Sequence, residues 1–418
     1  MAKDAGEEPG GTPERDDDEA FLALEDAPDT SASTRAKKRQ RSEAPPWMRP
    51  ESFVASNPVL SLSNEMLDLC DMLAPTAVEQ RDCELVVEFV RELVADCLGA
   101  EASVHIFGSL LTGLALPSSD VDLAVLDAPD NAIEVLGGSI RRQGNLGLVH
   151  EVEVLSSAKV PIIKFIHSDT GRACDICFNN SGGLKTGMYA RDLMQKMPQV
   201  RALTMVMKHF LGQRHLNDTY SGGIGSFLLQ LMVVSLIQTS WRQDAEYERT
   251  PTVSLGVLLI TFLELYGIKL NTYTTGISVR NGGCFFRKRD QQWLDSSRPF
   301  ALSVENPEDP SLDVGKNSYQ FVKCRRVMEE SYERLCAALM KPQPSSKPVS
   351  YLGSIIAVDD LILARSIPSS PTFLGKNYDL EVEPLDKGEK KKRKRKAERD
   401  LVSSQEEEED SRKREKKR

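Results

Sequence analysis

The stretch H-I-F-G-S-L-L-T-G-L-A-L-P-S-S-D-V-D-L, residues 105–123, decides how this chain of 418 residues is read. Its pattern predicts a strand ending near Phe107, a Gly-Ser turn, a short helical turn, and a Pro-Ser-Ser loop feeding a second strand. On that second strand Asp120 and Asp122 stand two residues apart, so strand alternation turns both carboxylates to one face. Neighbouring carboxylates resist joint ionisation unless a cation holds them. A divalent ion with oxygen ligands, Mg2+ or Mn2+, meets that need. Gly108 and Ser109, opening the helical turn, offer backbone N–H groups and a hydroxyl to a phosphate. An isolated D-x-D, taken alone, is equally a solvated strand edge.

Around this stretch, apolar alternation predicts strands at 103–107, 121–126, 149–155, 161–167 and 173–178. Helical spacing marks 63–73, 77–98 and 134–142, with Pro75 separating the first two. In 77–98, Leu85, Val86, Phe89, Val90, Leu93 and Val94 make one apolar face. After Asn180 the pattern becomes helical, at 201–211, 226–239, 255–266 and 319–340, with a loop at 302–319. Residues 1–46 are rich in Asp, Glu, Pro and Ser without hydrophobic periodicity, which predicts disorder. A Pro/Ser linker follows Pro342, then a short apolar patch at 352–363, then a low-complexity charged tail.

Composition narrows the class. Eight cysteines without a secretory signal point to a reducing compartment. Cys174 and Cys177 form a C-x-x-C, but no second pair or nearby histidine completes a zinc site, so both read as core. The longest apolar run, 227–237, is too short for a membrane span and contains Gln230 and Ser235. The net charge of −9 is uneven: residues 387–418 hold 15 basic and 9 acidic side chains, +6, leaving −15 on the rest. Phosphate affinity is therefore expected to be local to a cleft and the tail, or supplied by partners. The basic runs 35–41 and 390–396 read together as a nuclear address, nucleolus included, rather than as solvated charge clusters.

Segment 105–123 resembles the G-S-x(n)-D-x-D signature of the DNA polymerase β-like nucleotidyltransferases. That resemblance calls for a third carboxylate on a neighbouring strand, and C-D-I-C-F-N-N at 174–180 carries Asp175. The helical half is similar to the poly(A)-polymerase-associated domain. The likeness rests on M-V-M-K-H-F-L-G-Q-R-H-L-N (205–217), S-G-G-I-G-S-F (221–227) and L-G-V-L-L-I-T-F-L-E-L-Y-G (255–267). It continues through G-I-S-V-R-N-G-G (276–283), V-E-N-P-E-D-P-S-L-D-V-G-K-N-S-Y (304–319) and Y-L-G-S-I-I-A-V-D-D (351–360). From 47 to 360 the chain looks like the nuclear noncanonical poly(A) polymerases, the catalytic subunits of TRAMP-type RNA surveillance complexes.

The resemblance implies an α+β fold. A mixed-sheet nucleotidyltransferase domain at 77–180 joins a mainly helical central domain at 47–76 and 181–363, with disordered 1–46 and a basic tail at 364–418. It implies that Asp120, Asp122 and Asp175 bind two Mg2+ or Mn2+ ions, and that Asp175 activates an RNA 3′-hydroxyl for attack on the α-phosphate of ATP. Gly108 and Ser109 would hold the triphosphate, and Lys208 would meet its outer phosphates as a point charge. A lysine snorkelling from the helix surface is the plainer reading of Lys208.

Ser226 and Phe227 match the family's Ser-Tyr pair; Phe227 keeps a stacking face without the hydroxyl, and fits a core position equally. Leu312 stands where uridylyltransferase relatives carry a histidine that selects uracil, which favours ATP, although poly(A)-adding relatives usually have Asn there. Asn306 replaces the family's usual Asp in E-D-P, so the base-edge contact changes. No P-loop, zinc knuckle, RNA-recognition module or aromatic-basic stripe is visible. The resemblance therefore implies RNA 3′ ends as substrate, a zinc-knuckle RNA-binding protein and an RNA helicase as partners, and the exosome indirectly. The alternatives are a terminal uridylyltransferase and a catalytically silent scaffold binding RNA or a helicase.

Overall fold

The computed structural model describes residues 44–158, 160–240, 254–341, 348–369 and 373. Apart from residues 44–46, the segment expected to be disordered at the N-terminus lies outside them, as do both basic runs.

Helix α1 (Pro58–Leu73) starts where the Asn57 side chain accepts the Leu60 amide and Pro58 occupies the first turn. Helix α2 (Ala77–Leu98) opens on a capping box, Thr76 accepting the Glu79 amide and Glu79 accepting the Thr76 amide. There follow β1 (Ser103–Ile106), α3 (Gly108–Thr112), β2 (Val121–Leu126), α4 (Ala132–Asn145), β3 (Val149–Leu155), β4 (Ile162–His167) and β5 (Ala173–Phe178). The strands form one sheet in the order β1-β2-β5-β4-β3, antiparallel except for the β2–β5 pair.

The two faces of this sheet differ by strand alternation. Val121, Leu123, Val125, Ile163, Phe165, Cys174 and Ile176 point into a core closed by Val86, Val90 and Val94 of α2 and Leu136 and Ile140 of α4. Asp122, Lys164 and Asp175 sit at the intervening positions and so belong to the opposite face. Covering one face with helices leaves the other available for chemistry.

The second body is helical: α5 (Ser181–Lys196), α6 (Pro198–Gly212), α7 (Ser226–Ser240), α8 (Leu255–Glu264) and α9 (Phe321–Met340). These share a core with α1 and Trp47. Leu114 and Leu116, from the loop between α3 and β2, are also buried in that core. Each such leucine contributes about 1.5–3 kcal/mol of burial. The loop delivering Asp120 is thus nailed into the helical body although the sheet carries its strand.

Two elements were not anticipated. Helix α5 is masked in sequence by Gly182, Gly183 and Gly187, and a small hairpin of β6 (Thr275–Ser278) with β7 (Cys284–Arg287) packs beside the loop at Val304.

Past the boundary expected at 363/364, the described residues continue through 364–369 and 373. Residues 348–369, which include α10 (Asp360–Leu363), run back along α1. Buried Glu65 of α1 accepts from Trp47 Nε1 at 3.0 Å, from the Tyr351 and Leu352 amides at 2.9 Å each, and from the Ser350 hydroxyl. Arg365 donates to the Met72 and Ala74 carbonyls, and Phe373 is buried against the helical core. Four donors on one carboxylate tie both ends of the described chain to one helix.

Candidate active site

The register of the sheet assembles the site. Asp122 on β2 is the parallel partner of Asp175 on β5, and Asp175 is the antiparallel partner of Lys164 on β4. Partners in register share a face, so Asp122, Asp175 and Lys164 form a row across three strands spaced by about 4.8 Å each. Asp120, two residues before Asp122, extends the row at the end of the loop. The Lys164 ammonium donates to the Asp175 carboxylate.

Electrostatics follow from this crowding. Burial, then the charges of Asp175 and Asp120, push Asp122 up to about 6. Asp120 is raised as well, first by burial and then by Asp175, with Lys164 and Lys208 opposing. Burial works against the charge on Lys164, but Asp175, Asp120 and Asp122 together outweigh it and raise its pKa.

Gly108 shapes the approach to this row. Its φ is +62°, and a Cβ there would stand 2.0 Å from Asp122 Oδ2. Only glycine admits both the left-handed backbone and the neighbouring carboxylate. The Ser109 backbone N–H lies toward the Asp122 carboxylate and holds its pKa down, against the larger effect of burial. The same turn is tied internally, Thr112 Oγ1 donating to Gly108 O at 3.2 Å.

Lys208 is buried, not snorkelling. Its ammonium donates to Leu114 O at 3.0 Å and reaches Ser119 Oγ at 3.5 Å. Burial lowers its pKa to about 8, against the pull of Asp122 and Asp120. Ser226 begins α7 and Phe227 packs against the helical core, which is the plainer of its two readings. Asn306 Oδ1 accepts from the Glu308 backbone N–H at 3.0 Å and the Asn306 backbone N–H donates to Leu312 O at 3.0 Å, so the residue shapes the turn. The Leu312 side chain is exposed. Cys174 and Cys177 are free, buried thiols flanking Asp175, as core residues.

The donor set fits a hard divalent cation: carboxylate oxygens, partly desolvated, with Asp120 and Asp122 pushed up by burial and the charge of Asp175, and with one ammonium already drawn in. Among the described residues, no three His, Cys, Asp or Glu side chains are gathered as a finished metal cage. Nor is any helix among them long and apolar enough to cross a membrane.

Sequence reasoning missed Lys164. It lies in I-I-K-F-I, where a lysine inside an apolar strand was the available signal, but only the β4–β5 register sets it beside Asp175.

A mixed sheet bearing this carboxylate row after a Gly-Ser turn, joined to a helical body, defines a nucleotidyltransferase fold. The family model "Poly(A) RNA polymerase, mitochondrial-like, central palm domain" matches residues 62–188, and "Cid1 family poly A polymerase" matches 254–312. The Drosophila melanogaster "Inactive non-canonical poly(A) RNA polymerase protein Trf4-2" is 31% identical over 72% of this chain and 78% of its own length. Schizosaccharomyces pombe "Poly(A) RNA polymerase cid14" is 33% identical over 75% of this chain and 46% of its own length. The chain thus spans about half the length of several curated relatives it matches. The solved polymerase core of TRAMP, an RNA surveillance complex, superposes with a TM-score of 0.65 at 25% identity, covering 76% of this chain and all of that one. The chain belongs to the noncanonical poly(A) RNA polymerase family.

Proposed function

We propose that this chain is a template-independent RNA adenylyltransferase, adding short A tails to RNA 3′ ends. The observation that carries the reading is the carboxylate row Asp120, Asp122 and Asp175 on the open sheet face, with Gly108 and buried Lys208 beside it.

In the proposed reaction the 3′-hydroxyl of RNA gives up its proton to the Asp175 carboxylate and its oxygen bonds to the α-phosphorus of ATP, while the α–β phosphoanhydride bond breaks and pyrophosphate leaves. Two divalent ions, Mg2+ or Mn2+, would neutralise the phosphates and lower the pKa of the attacking hydroxyl when held by the three aspartates. Asp175 orients that hydroxyl and Asp120 and Asp122 complete the ligand set. Lys208 balances charge on the outer phosphates, and the Gly108–Ser109 turn borders the triphosphate. Catalysis is then mainly positioning and charge compensation.

Finer features follow the same reading. Leu312 lacks the ring that would favour uracil, so ATP is the preferred substrate with imperfect selectivity. Nuclear RNAs as substrates, a zinc-knuckle RNA-binding protein and a helicase as partners, and nuclear localisation belong to the proposal. The name of the Drosophila relative gives a second reading, a catalytically silent scaffold, a specific rival. Against it stands the complete row of three aspartates.

The test is extension of a labelled single-stranded RNA with each nucleotide in turn, with Mg2+ or Mn2+, alone and with a zinc-knuckle partner. ATP-dependent ladders lost in the Asp120→Ala, Asp122→Ala double variant support the proposal. UTP ladders shift it to uridylyl transfer, and no extension under any condition leaves the scaffold.

A further inference from the structure

The loop that delivers Asp120 is gripped at three backbone carbonyls by three cationic side chains. Arg201 Nε donates to Gly113 O at 3.3 Å, Lys208 Nζ to Leu114 O at 3.0 Å, and Arg172 to Pro117 O. Lys208 belongs to the site already described. The other two lead away from it, to the C-terminal residues that run back over α1.

On one side, Arg201 also donates to Phe373 O at 3.0 Å, and its guanidinium lies 4.2 Å from the centre of the Phe373 ring. The Phe373 amide donates to Asp71 Oδ1 of α1 at 2.6 Å. On the other side, Arg172 faces Glu79 at 3.7 Å, and Glu79 accepts from Arg365 at 2.7 and 3.1 Å. Arg365 further donates to Met72 O and Ala74 O, each at 2.7 Å. It therefore clasps the last turn of α1 to the first turn of α2, where the helical body passes into the sheet domain.

We infer that residues 348–369 and Phe373, acting through Arg365 and Phe373, are a positioning element of the nucleotidyl-transfer site: they set loop 113–119, and with it Asp120. The inferred consequence for catalysis rests on the transferase reading above; the geometry does not.

Three features favour positioning over plain added stability. The two paths end on one short loop, at Gly113 and Pro117, from different sides. Arg365, Glu79 and Arg172 have side chains only 10%, 19% and 14% exposed, so their pairing is little screened by solvent. All three donor nitrogens of Arg365 are engaged, a planar fork that lysine cannot reproduce.

The experiment is hydrogen exchange by mass spectrometry on the full chain, without metal or nucleotide. Arg365→Met is compared with the parent, Arg365→Lys and Arg172→Met. Arg365→Met is expected to speed exchange at 114–119 by about tenfold or more, as Arg172→Met does, while peptides across 162–178 stay unchanged. Arg365→Lys, keeping one contact, falls between. Faster exchange confined to 72–80 and 350–369, with 114–119 as in the parent, overturns the inference. Should Arg365→Met fail to fold, Phe373→Ala probes the other path with the same readout.

Nucleotide addition gives a second reading: kcat falls in Arg365→Met while KM for RNA stays near the parent value, with partial recovery in Arg365→Lys. A rise in KM for RNA with kcat unchanged opposes the inference. If the parent adds no nucleotide, the transferase reading fails, and the exchange result still decides the positioning.

Discussion

Lys164 on β4 faces Asp175 on β5 across the antiparallel register, and its ammonium donates to that carboxylate. A fixed monovalent charge thus stands where the proposed chemistry requires divalent ones. Lys164→Met leaves the carboxylate row without this counter-charge. Its melting temperature in EDTA is expected to fall by ~2–4 °C, about 1 kcal/mol after allowance for the partial exposure of Lys164. Added Mn2+ should then raise the variant more than the parent. Thermal unfolding followed by circular dichroism measures both, and equal Mn2+ responses would remove Lys164 as the resident counter-ion.

Asp122 exchanges stability for function. With its folded pKa near 6, it is ionised at neutral pH in a setting that favours the neutral acid. The charge therefore costs stability in full above that pKa, and the cost fades as pH falls from about 6 toward the ordinary value of 3.8. Asp122→Asn removes it, so the variant without metal should be more stable than the parent at neutral pH by about 1–3 kcal/mol. Nucleotide addition should drop by more than about 100-fold. Urea unfolding in EDTA checks the first half; a destabilised variant refutes it.

Gly108→Ala puts a methyl group 2.0 Å from Asp122 Oδ2 at a φ of +62°. Either the turn or the carboxylate must move. The backbone strain alone costs about 1–3 kcal/mol. Activity should fall at least as far as in Asp122→Asn, while the sheet stays folded. Retained activity would show that the turn can open without consequence for the aspartates.

Lys208 gives a pH signature. Burial holds its pKa near 8, well under the usual lysine value. It is charged below that pH and neutral above, so kcat/KM for ATP in the free protein is expected to decline as pH rises through about 8. Lys208→Arg keeps its charge and should flatten the profile; Lys208→Met should be low throughout. A parent profile that holds level from pH 7 to 10 would count against a phosphate role.

Much of the sheet was legible because its strands alternate cleanly and the Gly-Ser turn fixes where D-x-D falls. The identity of the row was not. Lys164 is eleven residues from Asp175, and nothing local says that a bend in the chain at 168–172 sets them abreast. The burial of Lys208 was only suggested by its apolar neighbours, since a helical lysine can point either way. Asn306 reads as a base contact because its type differs from the family pattern, and the local turn bonds of its Oδ1 and backbone N–H show only in the structure. Arg365 and Phe373 were hidden by composition: they lie at the edge of a charged tail, and their partners are carbonyls and side chains from the far end of the chain.

The arrangement around Glu65 sets an order of events during synthesis. Helix α1 leaves the ribosome well ahead of its partners: the amides of Tyr351 and Leu352 that satisfy its buried carboxylate come 286 and 287 residues later. At ~5–20 residues per second, that interval is about 15–60 s. Throughout it, the buried acid of α1 has one of its four partners, the Trp47 indole, so the nascent helical body stays open along that side until residues 350–352 arrive to close it.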